Sequence, residues 1–222
     1  MSITNNKKIC FIICSNNEHY ENECLHYIKH LIIPNGYEVD ALTIHDASSI
    51  TSAYNEAMNA SDAKYKVYLH QDTFIVNPNF IQEILSLFQD KTIGMIGLVG
   101  SPKLPSHGIM WYGERIGYFQ DCNTYISQIS KLELTAPDYL EVQAIDGFIM
   151  VTQYDLPWRE DLFDAWDFYD ASQSQEFIRH GYRVVVPCID APWTIHDCGH
   201  LSLNHYLKYR EIFVKEYGPF RK

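Results

Sequence analysis

The first hundred residues alternate short apolar runs with amphipathic ones, and no other feature of the chain restricts its fold as much. Lys8–Ser15 (KICFIICS) is a continuous apolar run, the pattern of a strand buried on both faces. Glu18–Ile33 follows with Tyr20, Cys24, Tyr27, Ile28, Leu31 and Ile32 at helical spacing, until Pro34, Asn35 and Gly36 end it. Tyr37–Ile44 reads as a second strand, and Asp46 or Ser48 as the cap of a helix over Ile50–Asn59. Lys66–Leu69 is a third strand. Asn77 and Pro78 then predict the cap and first turn of a helix with Phe80, Ile81, Ile84, Leu85 and Phe88 on one face. Ile93–Val99 is a fourth strand.

Strand and helix in strict alternation imply an α/β fold with a mostly parallel, Rossmann-like sheet and helices on both faces. Such sheets bind ligands beyond the carboxyl ends of their strands. Ser15–Asn17, His45–Asp46 and His70–Asp72 all fall at such ends, so polar residues gather where a site belongs. The later part of the chain reads differently. Ser101–Pro137 is irregular with room for one hairpin, and Tyr139–Gln153 is a strand interrupted by Asp146-Gly147. Ala171–His180 is a short helix ended by Gly181, Tyr182–Ile189 a strand, and Leu201–Tyr217 a terminal amphipathic helix.

A length of 222 residues suits one domain with a sizeable core. The expected division is a first half over 1–100, a second over 101–200, and a C-terminal helix over 201–222. The formal net charge is −11, which disfavours nucleic acid and anionic membranes as partners. An anionic small substrate would therefore need a local cation. No stretch has the length of a membrane span, no secretory signal is evident, and the six cysteines form no CxxC pair. The expectation is a reduced, cytoplasmic chain.

Four clusters could carry chemistry. His70-Gln71-Asp72 closes the third strand with three polar residues, although Asn77 already offers a cap for the next helix. Asp164, Asp167 and Asp170 flank aromatics before a helix, where Asp170 could equally serve as a cap. His196 and His200 are four apart, a zinc-like spacing, but Pro192 and Gly199 argue against a regular helix there. Asp146-Gly147 marks a bulge or a close approach to a ligand. No GxGxxG, GxxxxGK[ST] or GxSxG occurs, so dinucleotide, P-loop and hydrolase chemistry lack their usual signatures.

Taken in order, these clusters resemble the family 2 inverting glycosyltransferases of GT-A fold, in particular a short bacterial branch described as glycosyltransferase-like. The segments that carry the likeness are CSNNE (14–18), TIHDASS (43–49), SAYNEAMNASDAKYKVYLHQD (52–72), IDGFIMV (145–151), FYDASQSQEFIRHGYRVVVP (168–187) and WTIHD (193–197). Asn55 falls on the family's Asn, and Asp72 on the last Asp of its DXD motif. The eleven-residue step from Asp170 to Gly181 matches the family's step from its catalytic Asp to a Gly. Two positions depart from the pattern: His70 stands for the first Asp of DXD, and Tyr169 for the Glu of a Glu-Asp pair.

The resemblance implies metal-dependent, inverting transfer of a sugar from a nucleotide-diphosphate sugar to a glycan or other hydroxyl acceptor. It implies Asp170 as the base and Asp72 and His196 as ligands of Mn2+ or Mg2+. Ser15, Asn16, His45, Asp46, Asn55 and His70 would serve the nucleotide, and Asp146, Gly147 and Trp193 the sugar or acceptor. Trp111 offers a further apolar ring face. The chain is short for this fold, which leaves room for a homo-oligomer that completes the acceptor side. Two alternatives stay open: a degenerate GT-A domain that binds a nucleotide sugar or glycan without turnover, and a sugar nucleotidyltransferase.

Overall fold

The computed structural model describes residues 4–123, 126–132, 138–199, 203 and 205–220. Along the chain these form β1 (Asn5–Ser15), α1 (Glu18–Lys29), β2 (Glu38–His45), α2 (Ile50–Ala60), β3 (Ala63–His70), β4 (Thr73–Ile75) and α3 (Phe80–Leu87). Then come β5 (Ile93–Gly97), β6 (Val99–Ser101), β7 (Ile116–Asn123), β8 (Ile126–Leu132), β9 (Tyr139–Glu141), β10 (Ala144–Ile145) and β11 (Ile149–Thr152). The chain closes with α4 (Tyr169–Arg179), β12 (Arg183–Pro187), β13 (Thr194–Gly199) and α5 (Tyr206–Tyr217).

A seven-stranded sheet runs in the order β2-β1-β3-β11-β5-β12-β9. β1 pairs in parallel with β2 and β3, and β12 in parallel with β5. β11 enters between β3 and β5 and is antiparallel to both, so the sheet is mixed at its centre. The single strand expected over 139–153 is three: β9 at the sheet's edge, β10 in a second sheet, and β11 in the middle. The expected fourth strand also divides, at Leu98. Its β6 portion joins a second sheet ordered β10-β6-β7-β13-β4, with β8 paired to β7 as the hairpin of the irregular stretch.

The central strands of the sheet are buried on both faces because they are apolar on both. Along β1, Ile9, Phe11 and Ile13 join one core cluster, which includes Ile28 of α1, Phe80 of α3 and Phe213 of α5. Cys10 and Ile12 point the other way, into a cluster with Tyr54 of α2 and Phe177 of α4. Each such fully buried side chain contributes roughly 1.5–3 kcal/mol. No helix among the described residues is long and apolar enough to cross a membrane.

Helix ends differ in detail from their sequence signals. Ser49, not Asp46 or Ser48, caps α2, its Oγ accepting from the Ser52 N–H at 3.1 Å. Asn77 does not cap α3. Its Oδ1 accepts from Asn79 N, and the helix starts only at Phe80. α4 begins two residues earlier than its apolar pattern suggests, so Tyr169 and Asp170 lie in its first turn. It ends as expected, with Gly181 at φ 83° beyond the last turn.

Candidate active site

The cleft opens at the carboxyl ends of β1, β2 and β3. It measures about 460 Å3, and its lining includes Ser15, Asn16, Asp46, His70, Asp72 and Tyr169. Asp46 reaches it through a left-handed backbone, φ 55°, which Asp tolerates better than most residues. The β1 end is held by a residue that the motifs did not single out. Gln71 Oε1 accepts from the N–H groups of Asn16 (3.1 Å) and Asn17 (2.9 Å) and from Ser15 Oγ (3.0 Å). Its Nε2 donates back to Asn16 Oδ1 at 2.8 Å. The only sequence signal for Gln71 was its place inside the polar triplet.

β4 turns back directly after Asp72 and pairs with β13, setting Thr73 opposite His196. The Asp197 N–H donates to the Asp72 carbonyl at 2.8 Å, which locks that register. His196 Nε2 thereby lies 3.6 Å from Asp72 Oδ1. His70 Nδ1 is 3.4 Å from His196 Nε2 and 4.0 Å from Asp72 Oδ1. Asp72 Oδ1 is buried and accepts no hydrogen bond. Burial works to raise the Asp72 carboxyl, but the neighbouring His196 and His70 imidazoles outweigh it and hold it low. His70 moves down, through burial first and the His196 charge second.

These three atoms fit a divalent cation. The point equidistant from them lies about 2.1 Å from each, inside the roughly 2.0–2.2 Å range of metal bonds to imidazole and carboxylate. An orphaned carboxylate oxygen between two imidazoles is also hard to satisfy otherwise. His200 lies outside the described residues.

Beyond His70 stands Tyr169, whose hydroxyl hydrogen-bonds His70 Nε2. The Tyr169 ring is buried, with Tyr54 and Trp158 among its aromatic neighbours. Gly147 packs against it so closely that a Cβ there would overlap the phenol. The next residue of α4 is Asp170. Its carboxylate accepts from the Ala171 N–H at 2.7 Å. Burial, and then the Asp146 charge, push Asp170 up to about 7. Asp146 itself accepts from Trp111 Nε1 at 3.1 Å and from the Phe148 N–H at 3.2 Å. Phe168, just before the helix, is left-handed at φ 61° and packs on Tyr206 and Phe213. That burial offsets a backbone cost of roughly 1–2 kcal/mol.

The structure thus brings Ser15, Asn16, Asp46, His70 and Asp72 into one cleft, with His196 beside Asp72 and with Gly147 and Asp170 behind or beside Tyr169. Three candidates stand apart. His45 pairs with Glu21 at 2.8 Å. Asn55 spends its amide on the backbone of Trp158, donating to its carbonyl and accepting from its N–H, both at 2.9 Å. Trp193 is buried edge-on against Phe80.

Comparison with known proteins identifies the family and the fold. Residues 10–217 match the sequence profile of a family described as "Glycosyltransferase like family". The streptomycin biosynthesis protein StrF of Streptomyces griseus is 29% identical over 136 residues, covering 59% of this chain and 44% of that protein. The mannosyltransferase PcManGT from Pyrobaculum calidifontis, solved with GDP-Man and Mn2+, superposes with a TM-score of 0.58 at 13% identity. The match covers 96% of this chain and 65% of that one. S. aureus TarS 1-349, solved with UDP-GlcNAc, superposes at 0.62 with 11% identity, covering 97% and 68%. At such identities the likeness is one of fold, and the fold is of GT-A type. The chain matches less than half the length of its curated relative and about two thirds of the two solved chains.

Proposed function

The chain belongs to the glycosyltransferase-like family, and from that premise we propose that it moves a sugar, with inversion, from a nucleotide-diphosphate donor to a hydroxyl acceptor. One observation carries the reading. The His70, Asp72 and His196 cluster lies at the end of β3 beside the cleft, and Tyr169 links it to the helix that bears a carboxyl poised near neutrality.

In this reading the donor's nucleotide lies over the ends of β1 and β2. Ser15, Asn16 and Asp46 are in reach of base and ribose, and Gln71 holds that segment in shape. His45 and Asn55 act on the nucleotide side indirectly, by fixing the chain at Glu21 and at Trp158. His70, Asp72 and His196 would hold a divalent cation, which when bound neutralises charge on the departing diphosphate. This is how a chain of net charge −11 can accept an anionic donor. Asp170 takes the proton from the acceptor hydroxyl on the face opposite the leaving group, as an inverting displacement requires. A carboxyl near 7 is well matched to that task. Asp146 and the Gly147 backbone, beside Asp170 and Tyr169, would serve sugar or acceptor hydroxyls, and Trp193 contributes from the core, packed on Phe80.

The direct test is a thermal-shift panel of nucleoside diphosphates with and without Mn2+, followed by a donor-turnover assay. A metal-dependent rise in melting temperature is expected. If no nucleoside diphosphate stabilises the chain under either condition, the reading fails. A second reading, binding without turnover, is favoured by one observation: the two residues that replace family acids, His70 and Tyr169, bond to each other. Donor hydrolysis or transfer in the presence of Mn2+ would exclude it.

A further inference from the structure

The geometry points to Tyr169 as a positioning residue that makes His70 a metal ligand, giving a two-imidazole, one-carboxylate site that takes a first-row transition ion and rejects Mg2+. The inference rests on reading the cleft as a donor site, but its chemistry is that of the cluster alone.

Consider what orients His70. An imidazole can turn about its side-chain bonds and can carry its proton on either nitrogen. Here Nδ1 faces His196 and Asp72, while Nε2 meets the Tyr169 hydroxyl. With Nδ1 offering its lone pair to an ion, the ring proton sits on Nε2 and the Tyr169 oxygen accepts it. A ligating His needs such an outer partner to fix its tautomer and rotation. The partner is itself immobilised. The phenol is 5% exposed, it packs near Tyr54 and Trp158, and the Gly147 backbone closes its far side without room for a side chain.

Consider next what the donor set selects. Two neutral nitrogens and one carboxylate oxygen carry a single negative charge. Mg2+ demands hard oxygen ligands and sheds water reluctantly, so it gains little here. Imidazole nitrogen favours the transition series, with affinity rising from Mn2+ through Co2+. Asp72 Oδ1, buried and without a hydrogen-bond partner, is the one anionic contact such an ion would find in the cluster.

The test is metal binding by the intact chain without nucleotide. Mn2+ is titrated into metal-free protein and followed by electron paramagnetic resonance, with Mg2+ as competitor. The parent should bind Mn2+ with imidazole-nitrogen coupling in the spin-echo spectrum, and Mg2+ should displace it only at an excess on the order of tenfold or more. Tyr169→Phe keeps the ring and should melt at the parent's temperature, yet bind Mn2+ about tenfold more weakly, as outer-partner losses do. His70→Asp should reduce the nitrogen coupling from two imidazoles to the one of His196 and let Mg2+ compete more effectively than in the parent. Unchanged Mn2+ affinity in Tyr169→Phe, or equal competition by Mg2+ in the parent, would overturn the inference. A nucleotide thermal-shift panel run in parallel separates the two ideas. Nucleotide stabilisation with no metal preference sinks this inference and leaves glycosyl transfer standing. Selective Mn2+ binding with no nucleotide response does the reverse.

Discussion

Asp146 and Asp170 share one electrostatic environment: burial and the Asp146 charge together hold the Asp170 carboxyl up at about 7. A base must be deprotonated to work, so transfer should fall away as pH drops below about 7. In Asp146→Asn the repelling charge is gone and only burial remains, so the acidic limb should move to lower pH. The measurement is kcat/KM against pH for both proteins at saturating metal. Superimposable limbs would detach Asp146 from Asp170.

Asp170→Asn should cut transfer by roughly 10²–10⁴, the usual contribution of a positioned base, with donor affinity unchanged. Its stability effect has a definite sign. The folded pKa lies above the ordinary 3.8, so the parent's favourable contribution is complete below 3.8 and is lost as pH rises through about 7. The Asn variant keeps a neutral group throughout. Its advantage in melting experiments should therefore grow across that window and level off above it, reaching on the order of 4 kcal/mol. An advantage that shrinks toward alkaline pH would contradict the burial of Asp170.

Gln71→Ala removes one acceptor from two backbone N–H groups and a hydroxyl at the end of β1. These groups can turn to water, so the cost in stability should be only about 1 kcal/mol. Donor affinity should suffer more, because the segment that faces the nucleotide loses its brace. Hydrogen exchange would show faster turnover at the Asn16 and Asn17 amides. Gln71→Glu keeps the acceptor but not the bond to Asn16 Oδ1, and should fall between the two.

Gly147→Ala places a methyl against the Tyr169 phenol. Overpacking of this kind costs about 1–3 kcal/mol. The two sites are in contact, so a double-mutant cycle with Tyr169→Ala should be strongly non-additive, the second change relieving the first. Additive melting shifts would show that the backbone moves aside instead.

The sequence made some of this readable and not the rest. Ile9–Ile13 and Val67–Leu69 announced buried strands because a strand covered on both faces has no polar side to obscure it. Ile149–Thr152 gave an equally apolar run, but such a run reads the same in either direction, so the antiparallel entry of β11 was invisible. His70, Asp72 and Asp170 could be singled out because they sit at element ends. That His70 meets Tyr169, 99 positions away, depends on how α4 docks, and no local pattern encodes it. The same holds for His196, which reaches Asp72 through the pairing of β13 with β4. Trp193 offered a ring face in the sequence and uses it on Phe80, because a Trp in an apolar setting gains more from burial than from waiting for a ligand.

The position of β11 has a consequence for how the chain is made. β3 and β5 are complete by Gly97, but the strand that joins them, Ile149–Thr152, follows some fifty residues later. A chain emerging from the ribosome therefore displays two apolar strand edges with unpaired N–H and C=O groups until that segment arrives. The seam of the sheet cannot close before that segment arrives, and a nascent chain stalled before residue 149 is exposed to aggregation and to chaperone capture.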